Sequence, residues 1–342
     1  MNILDKIFNS KYKIITCKKL CSCLFFFSQK IAYCSNGNPN NLRKVTAIYD
    51  KFTGNLDIND LYNKIKNDRK NLIKGILPQN CVNCPELKTE KEISLKPQID
   101  YIQFSDYSMC NSKCVYCNSW KNTKTDNNGK LTLINGKEDS YEIMPIIKQL
   151  IKKGLLTKDT TIDFAGGEPT AYRQFEEALS FLLKFGIKKV YIFSNVINYS
   201  QAIADGLKDG IITLTVSVDA GTKEMHRQVK GVKSYDSVWE NLKKYSAVKA
   251  RNNQLVSKYV IVPYLNDIEQ EVDIWLQKSV QAGITEFILN ADDRILEKEL
   301  EEDVIKRTNK ISIYFEGKAK EYNLNYDLYA NIRFINDKVQ KK

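Results

Sequence analysis

The densest chemistry in the sequence lies in SMCNSKCVYCNSW, residues 108–120, where Cys110, Cys114 and Cys117 follow a Cys-x3-Cys-x2-Cys spacing. Thiolates this close converge on one small inorganic centre, and cysteine is the usual ligand of iron–sulfur cubanes. No cysteine follows Cys117. Three ligands on a four-iron cubane leave one iron open to an exogenous donor. Structural zinc is the rival reading. It closes its shell with four ligands, and Cys81-x2-Cys84 with Cys114-x2-Cys117 would supply them at ribbon spacing. The cysteines alone leave these two readings level.

A second motif, DFAGGEPT (163–170), places Gly166, Gly167, Glu168 and Pro169 in succession. Adjacent glycines let the backbone approach a ligand directly, and Pro169 suits the first turn of a helix. Alone, this is only a strand-to-helix loop. One strand–helix unit after the cysteine loop, it points to a built site. Asn195 (after Ser194), Ser217 and Asp219 are further polar residues at strand ends, although Asp219 also reads as the cap of a turn. His226, the sole histidine, is expected in a solvated surface segment, so histidine acid–base chemistry is not the expected centre of the mechanism.

Strands must carry these residues. IDYIQFS (99–105), TTIDFAG (160–166), KKVYIFSN (188–195), ITLTVSVD (212–219), SKYVIVP (257–263) and ITEFILN (284–290) are mostly β-branched and aromatic, too apolar for a sheet wetted on one side. Helical patterns intervene: QFEEALSFLLKFG sets Phe175, Ala178, Leu179 and Leu182 on one face and stops at Gly186. SYDSVWENLKKY and NDIEQEVDIWLQKSVQAG repeat the theme. The expected fold class is α/β: a parallel, helix-covered sheet, closed or nearly closed as a barrel, with its chemistry at the C-terminal strand ends.

Residues 1–88 hold six cysteines and are expected to form a small cysteine-rich module, with 89–98 a charged linker, 99–290 the barrel and 291–342 a helical covering extension containing EKELEEDVIKRTNK. LFFFSQKIAYC reads as a strand, a turn at Ser28-Gln29 and a returning strand. The 342 residues carry 52 Lys+Arg against 41 Asp+Glu. The excess is spread along the whole chain, so neither a nucleic-acid nor a membrane partner is expected. No stretch approaches the roughly 20 apolar residues of a spanning helix, and a cytoplasmic location is expected. Nine cysteines in a reducing compartment favour metal ligands over disulfides.

CNSKCVYC, GGEPT and SVDAGTKEMHRQVKG, in that order, resemble the radical S-adenosylmethionine (radical SAM) enzymes over roughly residues 99–290. The resemblance implies a partial (β/α)6 TIM-like barrel in which Cys110, Cys114 and Cys117 hold a [4Fe–4S] cluster whose fourth iron is chelated by S-adenosylmethionine. It implies reductive cleavage to a 5′-deoxyadenosyl radical that abstracts hydrogen from a substrate, a peptide, protein or carbohydrate, with an external electron donor. By position, Tyr116 lies beside the adenine and Gly166, Gly167 and Glu168 hold the methionine amino group. Asn195, Ser217 and Asp219 reach the ribose or carboxylate, and Val262 packs on adenine. Lys230 stands where an arginine often pairs with the cofactor carboxylate; lysine keeps the charge and loses the bidentate fork. No catalytic acid or base is assigned.

Related enzymes carry an auxiliary [4Fe–4S] module of the SPASM type, here placed first, with Cys17, Cys34, Cys81 and Cys84 as its ligands. Cys17 is the closest fit, with Cys21 or Cys23 as its alternatives, and zinc at these four is the alternative metal. A glycyl-radical activase and a non-enzymatic zinc or iron–sulfur module are the rival functions.

Overall fold

The computed structural model describes residues 14–16, 21–33, 45–77, 81, 87–90, 94, 96–117, 123–125, 131–133, 140–293 and 301–340. The chain divides into two compact units. The first comprises Met1–Asp106, Ser140–Asp163 and Phe181–Lys189, and the second comprises Tyr107–Asp139, Phe164–Ser180 and Val190–Lys342.

The first unit contains β1 (Ile14–Thr16), β2 (Cys23–Phe27), β3 (Lys30–Ala32), β4 (Val45–Asp50), β5 (Asn55–Leu56), helix α1 (Ile58–Ile73), β6 (Lys88–Glu90), nearly all of β7 (Tyr101–Tyr107) and helix α2 (Ile143–Lys152). The hairpin expected from LFFFSQKIAYC is present: β2 pairs antiparallel with β3, Phe27 opposite Lys30. Ser28 and Gln29 make the turn at φ 45° and 58°, the paired left-handed conformation whose twist matches a two-residue hairpin. Their N–H groups donate to the Asp106 carboxylate at 3.0 and 2.7 Å, which also accepts from the Tyr49 hydroxyl at 2.6 Å. β2 runs parallel to β7, Leu24 beside Ile102.

Arg69 of α1 ties the unit together. Its buried guanidinium donates to the carbonyls of Cys21, Ser94, Lys96 and Gln98. Burial draws Arg69 below its ordinary pKa, opposed by nearby acidic groups. Asp57 caps α1, accepting from Asp60 N at 2.9 Å.

The second unit begins with the antiparallel pair β8 (Thr123–Thr125) and β9 (Leu131–Leu133). Then come the end of β10 (Thr161–Gly166), the start of α3 (Arg173–Phe185), β11 (Lys189–Ser194), α4 (Gln201–Lys208), β12 (Ile212–Ser217), α5 (Lys223–Lys230), α6 (Tyr235–Val248), β13 (Leu255–Ile261), α7 (Glu269–Gln281), β14 (Glu286–Ala291), α8 (Glu302–Glu321), β15 (Asn325–Leu328) and α9 (Ala330–Gln340). β11, β12, β13, β14 and β15 are neighbours in that order, all parallel. Parallel neighbours need crossover connections, and the helices between them serve as those crossovers.

The helices pack on one face of this sheet. Trp275 of α7 is fully buried, donates Nε1–H to Ser257 Oγ at 2.8 Å, tilts against Tyr259, meets Phe287 edge-on and stacks on Phe315. The six strands expected from the sequence are all present and the fold class is the expected α/β. Two strands shift by two residues: the one read at 99–105 spans Tyr101–Tyr107, and the one read at 257–263 spans Leu255–Ile261. Val262 N instead donates to the Asn266 side chain at 2.7 Å, and Pro263 has no N–H to continue a ladder. β15 was not legible; its residues alternate between exposed and half-buried, without the apolar face that marks the others. Among the described residues no helix is long and apolar enough to cross a membrane.

Candidate active site

The loop after β7 enters against the end of β10. Gly167 N donates to Tyr107 O at 2.6 Å and Glu168 N to Met109 O at 2.9 Å. A Cβ on Gly167 would overlap Met109 O and lie 2.7 Å from Tyr107 O. Glycine is required there by close approach. Gly166 adopts φ 99°, open to glycine at little cost. The Tyr172 hydroxyl accepts from Ser108 N at 2.8 Å and Met109 N at 2.6 Å, fixing the two residues before Cys110.

Further along, the loop is strapped to the end of α5. Lys113 N donates to Lys230 O at 2.8 Å and Val115 N to Val229 O at 2.9 Å. Gly231 closes α5 in the left-handed region, φ 68°, where a Cβ would stand 2.7 Å from Lys113 O. Cys114 is buried, Cys110 and Cys117 half-buried. Burial, then the Glu168 and Cys114 charges, push the Cys110 thiol up to about 12 against an opposing Ser112 N–H and Lys230. Burial likewise raises Cys114.

The expected site residues gather in two groups within the second unit. In the first, Glu168 is buried and its carboxylate accepts from Thr170 N and Oγ1, Ser194 Oγ (2.8 Å) and Asn195 N (2.7 Å). Burial raises its pKa and those donors oppose the rise. The Asn195 amide donates to Asn111 Oδ1 at 2.7 Å and Ser112 Oγ at 3.1 Å, with Cys110 Sγ at 3.9 Å.

The second group centres on Asp219, fully buried at φ 62°. Its carboxylate accepts from Tyr116 OH at 2.5 Å, Lys230 Nζ at 2.7 Å and Val260 N at 2.9 Å. Lys230 spends its other donors on Ser217 O at 2.9 Å and Tyr116 OH at 3.3 Å. Burial would lower Lys230; Asp219 outweighs it and holds the ammonium above its ordinary value. Val262 is buried and joins this group through Asn266, whose amide donates to Asp219 O and Val260 O, both at 2.9 Å.

His226 corrects an expectation. It is buried on α5 at 1% exposure, edge-on to Tyr235, with neither ring nitrogen partnered. α5 turns Met225, His226, Val229 and Lys230 inward together. Burial, then Lys230, lowers its pKa to about 4, so it is neutral.

Sequence reasoning missed Tyr172, Asn266 and Glu271. Glu271 of α7 accepts from Gly221 N, Thr222 N and Thr222 Oγ1 at 2.7, 2.8 and 2.6 Å, gripping the turn after Asp219. The one available signal was Asn266-Asp267, a polar pair between a strand and a helix. Of the auxiliary-module cysteines, Cys17, Cys34 and Cys84 lie outside the described residues. Cys81 is half-buried, and Cys21 and Cys23 are buried.

A family model described as the radical SAM superfamily matches residues 105–276, just over half of the chain. The chain belongs to the radical SAM superfamily. It is therefore an enzyme whose cofactors are a [4Fe–4S] cluster and S-adenosylmethionine. The donor set fits such a cluster: three cysteines on one braced loop, with the Cys110 and Cys114 thiols held protonated by burial until a metal supplies the compensating charge. Among the described residues, no three His, Cys, Asp or Glu side chains gather closely enough for a single metal ion. Cubane ligands each bind a different iron and need not meet at a point.

The radical SAM chain is 26% identical to GTP 3′,8-cyclase of Vibrio parahaemolyticus over 172 residues, 49% of this chain and 48% of that protein. It is 24% identical to the Vibrio atlanticus GTP 3′,8-cyclase over 229 residues, 65% of each. The chain thus spans about half the length of the first of these relatives. Among solved structures, Streptococcus suis SuiB bound to precursor peptide SuiA superposes with a TM-score of 0.51 at 16% identity, covering 83% of this chain and 57% of SuiB. That likeness is one of fold.

Proposed function

We propose that Cys110, Cys114 and Cys117 ligate the [4Fe–4S] cluster and that the polar groups around Glu168 and Asp219 hold S-adenosylmethionine on its open iron. The chemistry that pair supplies is reductive cleavage of the sulfonium to 5′-deoxyadenosine with hydrogen abstraction from a substrate. The observation that carries this reading is the approach of Gly167 and Glu168 to the entry of the cysteine loop, with Asn195 bridging Glu168 to Asn111 and Ser112.

In this reading Gly166, Gly167 and Glu168 receive the methionine amino group. Asn195, Ser217 and Asp219 face the ribose and carboxylate, and Tyr116 and Val262 flank the adenine. Lys230 has no proton to spare for the carboxylate while it holds Asp219, Ser217 O and Tyr116; it orients Asp219 and Tyr116. The substrate is a peptide, protein or carbohydrate, the protein is cytoplasmic, and an external donor supplies the electron. An auxiliary cluster on Cys17 (or Cys21 or Cys23), Cys34, Cys81 and Cys84 serves the substrate step. The names of the curated relatives favour a second reading, a nucleotide substrate.

The test is anaerobic turnover with dithionite. Cys114→Ala is expected to abolish 5′-deoxyadenosine formation while circular dichroism stays native. Persistent cleavage in the folded variant would reject the loop as cluster ligand.

A further inference from the structure

Successive side chains of a strand point to opposite faces. On β13, Ser257 and Tyr259 pack against Trp275 on the helical face, so Lys258 and Val260 point to the other. There Val260 N meets Asp219, and the charges that act on Lys258 are Asp219, Lys230, Asp293 and Cys114. The register sets Ser217 and Ile288 on either side of Lys258. The ammonium lies over the Tyr329 ring, 5.3 Å from its centroid.

Among the described residues, no carboxylate stands within the 4.0 Å of an ion pair with Lys258. Asp219 is committed to Tyr116, Lys230 and Val260 N. Asp293 accepts from the Asn331 amide at 3.0 Å. Two lysines therefore share this side of the sheet with two carboxylates, both already engaged by other donors. Burial draws the Lys258 ammonium below its ordinary pKa, the mark of a cation set in a poorly solvated place without its own counter-charge. Lys258 is half-buried; a charge in such a place without its own partner is costly, and a bound anion removes that cost.

We propose that Lys258, flanked by Ser217 and Tyr329, is the subsite for an anionic group of the substrate, a carboxylate or phosphate. This rests on the reading of the strand ends above as the S-adenosylmethionine site. Lys258 pairs in register with Ser217 and lies four residues, about 13 Å, before Val262 along an extended strand, so the anionic group of the substrate sits beside the cofactor on the neighbouring strand. The substrate is therefore an acid.

The test is titration calorimetry on the reconstituted protein with pyrophosphate and, separately, succinate, each with and without saturating S-adenosylmethionine. Wild type is expected to bind at least one of the two anions. Lys258→Gln is expected to weaken that binding at least tenfold, and Lys258→Arg to stay within threefold, with thermal unfolding verifying that both fold. Absence of binding of either anion to wild type, or equal affinity in Lys258→Gln, overturns the proposal. So does a tenfold loss of S-adenosylmethionine affinity in Lys258→Gln with anion binding intact, which would give this lysine to the cofactor carboxylate. If wild type binds the anions through Lys258 but no S-adenosylmethionine, the cofactor reading fails and the anion subsite stands.

Discussion

Asp219 and His226 lie close in sequence and both are buried, yet one has polar partners and the other has none. Asp219 is ion-paired to Lys230, whereas His226 has neither ring nitrogen bonded and stays neutral because burial and Lys230 lower its pKa to about 4. A depressed folded-state value means the unfolded chain takes up the proton first. The stabilisation is present above pH 6.5 and is lost as pH falls toward 4. Linkage gives a loss of about 1.4 kcal/mol by pH 5.5 from this group. Urea unfolding at pH 7.5 and 5.5 is expected to show that His226→Phe, which cannot titrate, loses less stability between the two than wild type does. Equal losses would contradict the buried neutral assignment. KEMHRQVK reads as polar surface in sequence; the error arises because the helix buries one face, which carries His226 and Lys230 with Met225 and Val229, while Lys223, Glu224, Arg227 and Gln228 stay exposed. Cys110, Glu168, Asn195 and Asp219 were legible because their spacing within motifs is local. Asn266, Glu271 and Tyr172 were not, because each acts by hydrogen-bonding distant backbone, which leaves no periodic trace.

Among elements, the β10 turn and the cysteine loop constrain each other. Gly167 leaves no volume for a methyl group beside Met109 O and Tyr107 O. Gly167→Ala is expected to open that contact, at a cost of about 1–3 kcal/mol as for an overpacked core, and to lower iron retained per chain after reconstitution. Thermal unfolding and iron assay check both; unchanged iron would mean that the close approach does not shape the loop. The six strands were readable since each is an apolar run bounded by turn residues. β15 was not, because an edge strand with exposed Asn325 and Asp327 carries no buried stripe. The shift of β13 follows from Asn266, whose side chain takes the Val262 N–H that a longer strand would have paired.

For the whole molecule, the cysteine distribution makes a countable prediction. In the proposed arrangement three cysteines serve one cluster in the second unit, and the auxiliary set draws on residues before 88. Anaerobically purified protein is expected to hold about eight irons per chain, falling to about four in a Cys81→Ala, Cys84→Ala double variant. Zinc in place of the second four irons would leave the first cluster standing and remove the auxiliary one.

The central claim is that the cysteine loop leaves one corner of its cluster vacant for S-adenosylmethionine. It is tested most directly by electron paramagnetic resonance of the reduced Cys81→Ala, Cys84→Ala protein, in which only that cluster remains, recorded before and after adding S-adenosylmethionine labelled at its amino nitrogen. The expected result is a shifted spectrum with hyperfine coupling to the label. A spectrum that stays put, with no coupling, would contradict the account.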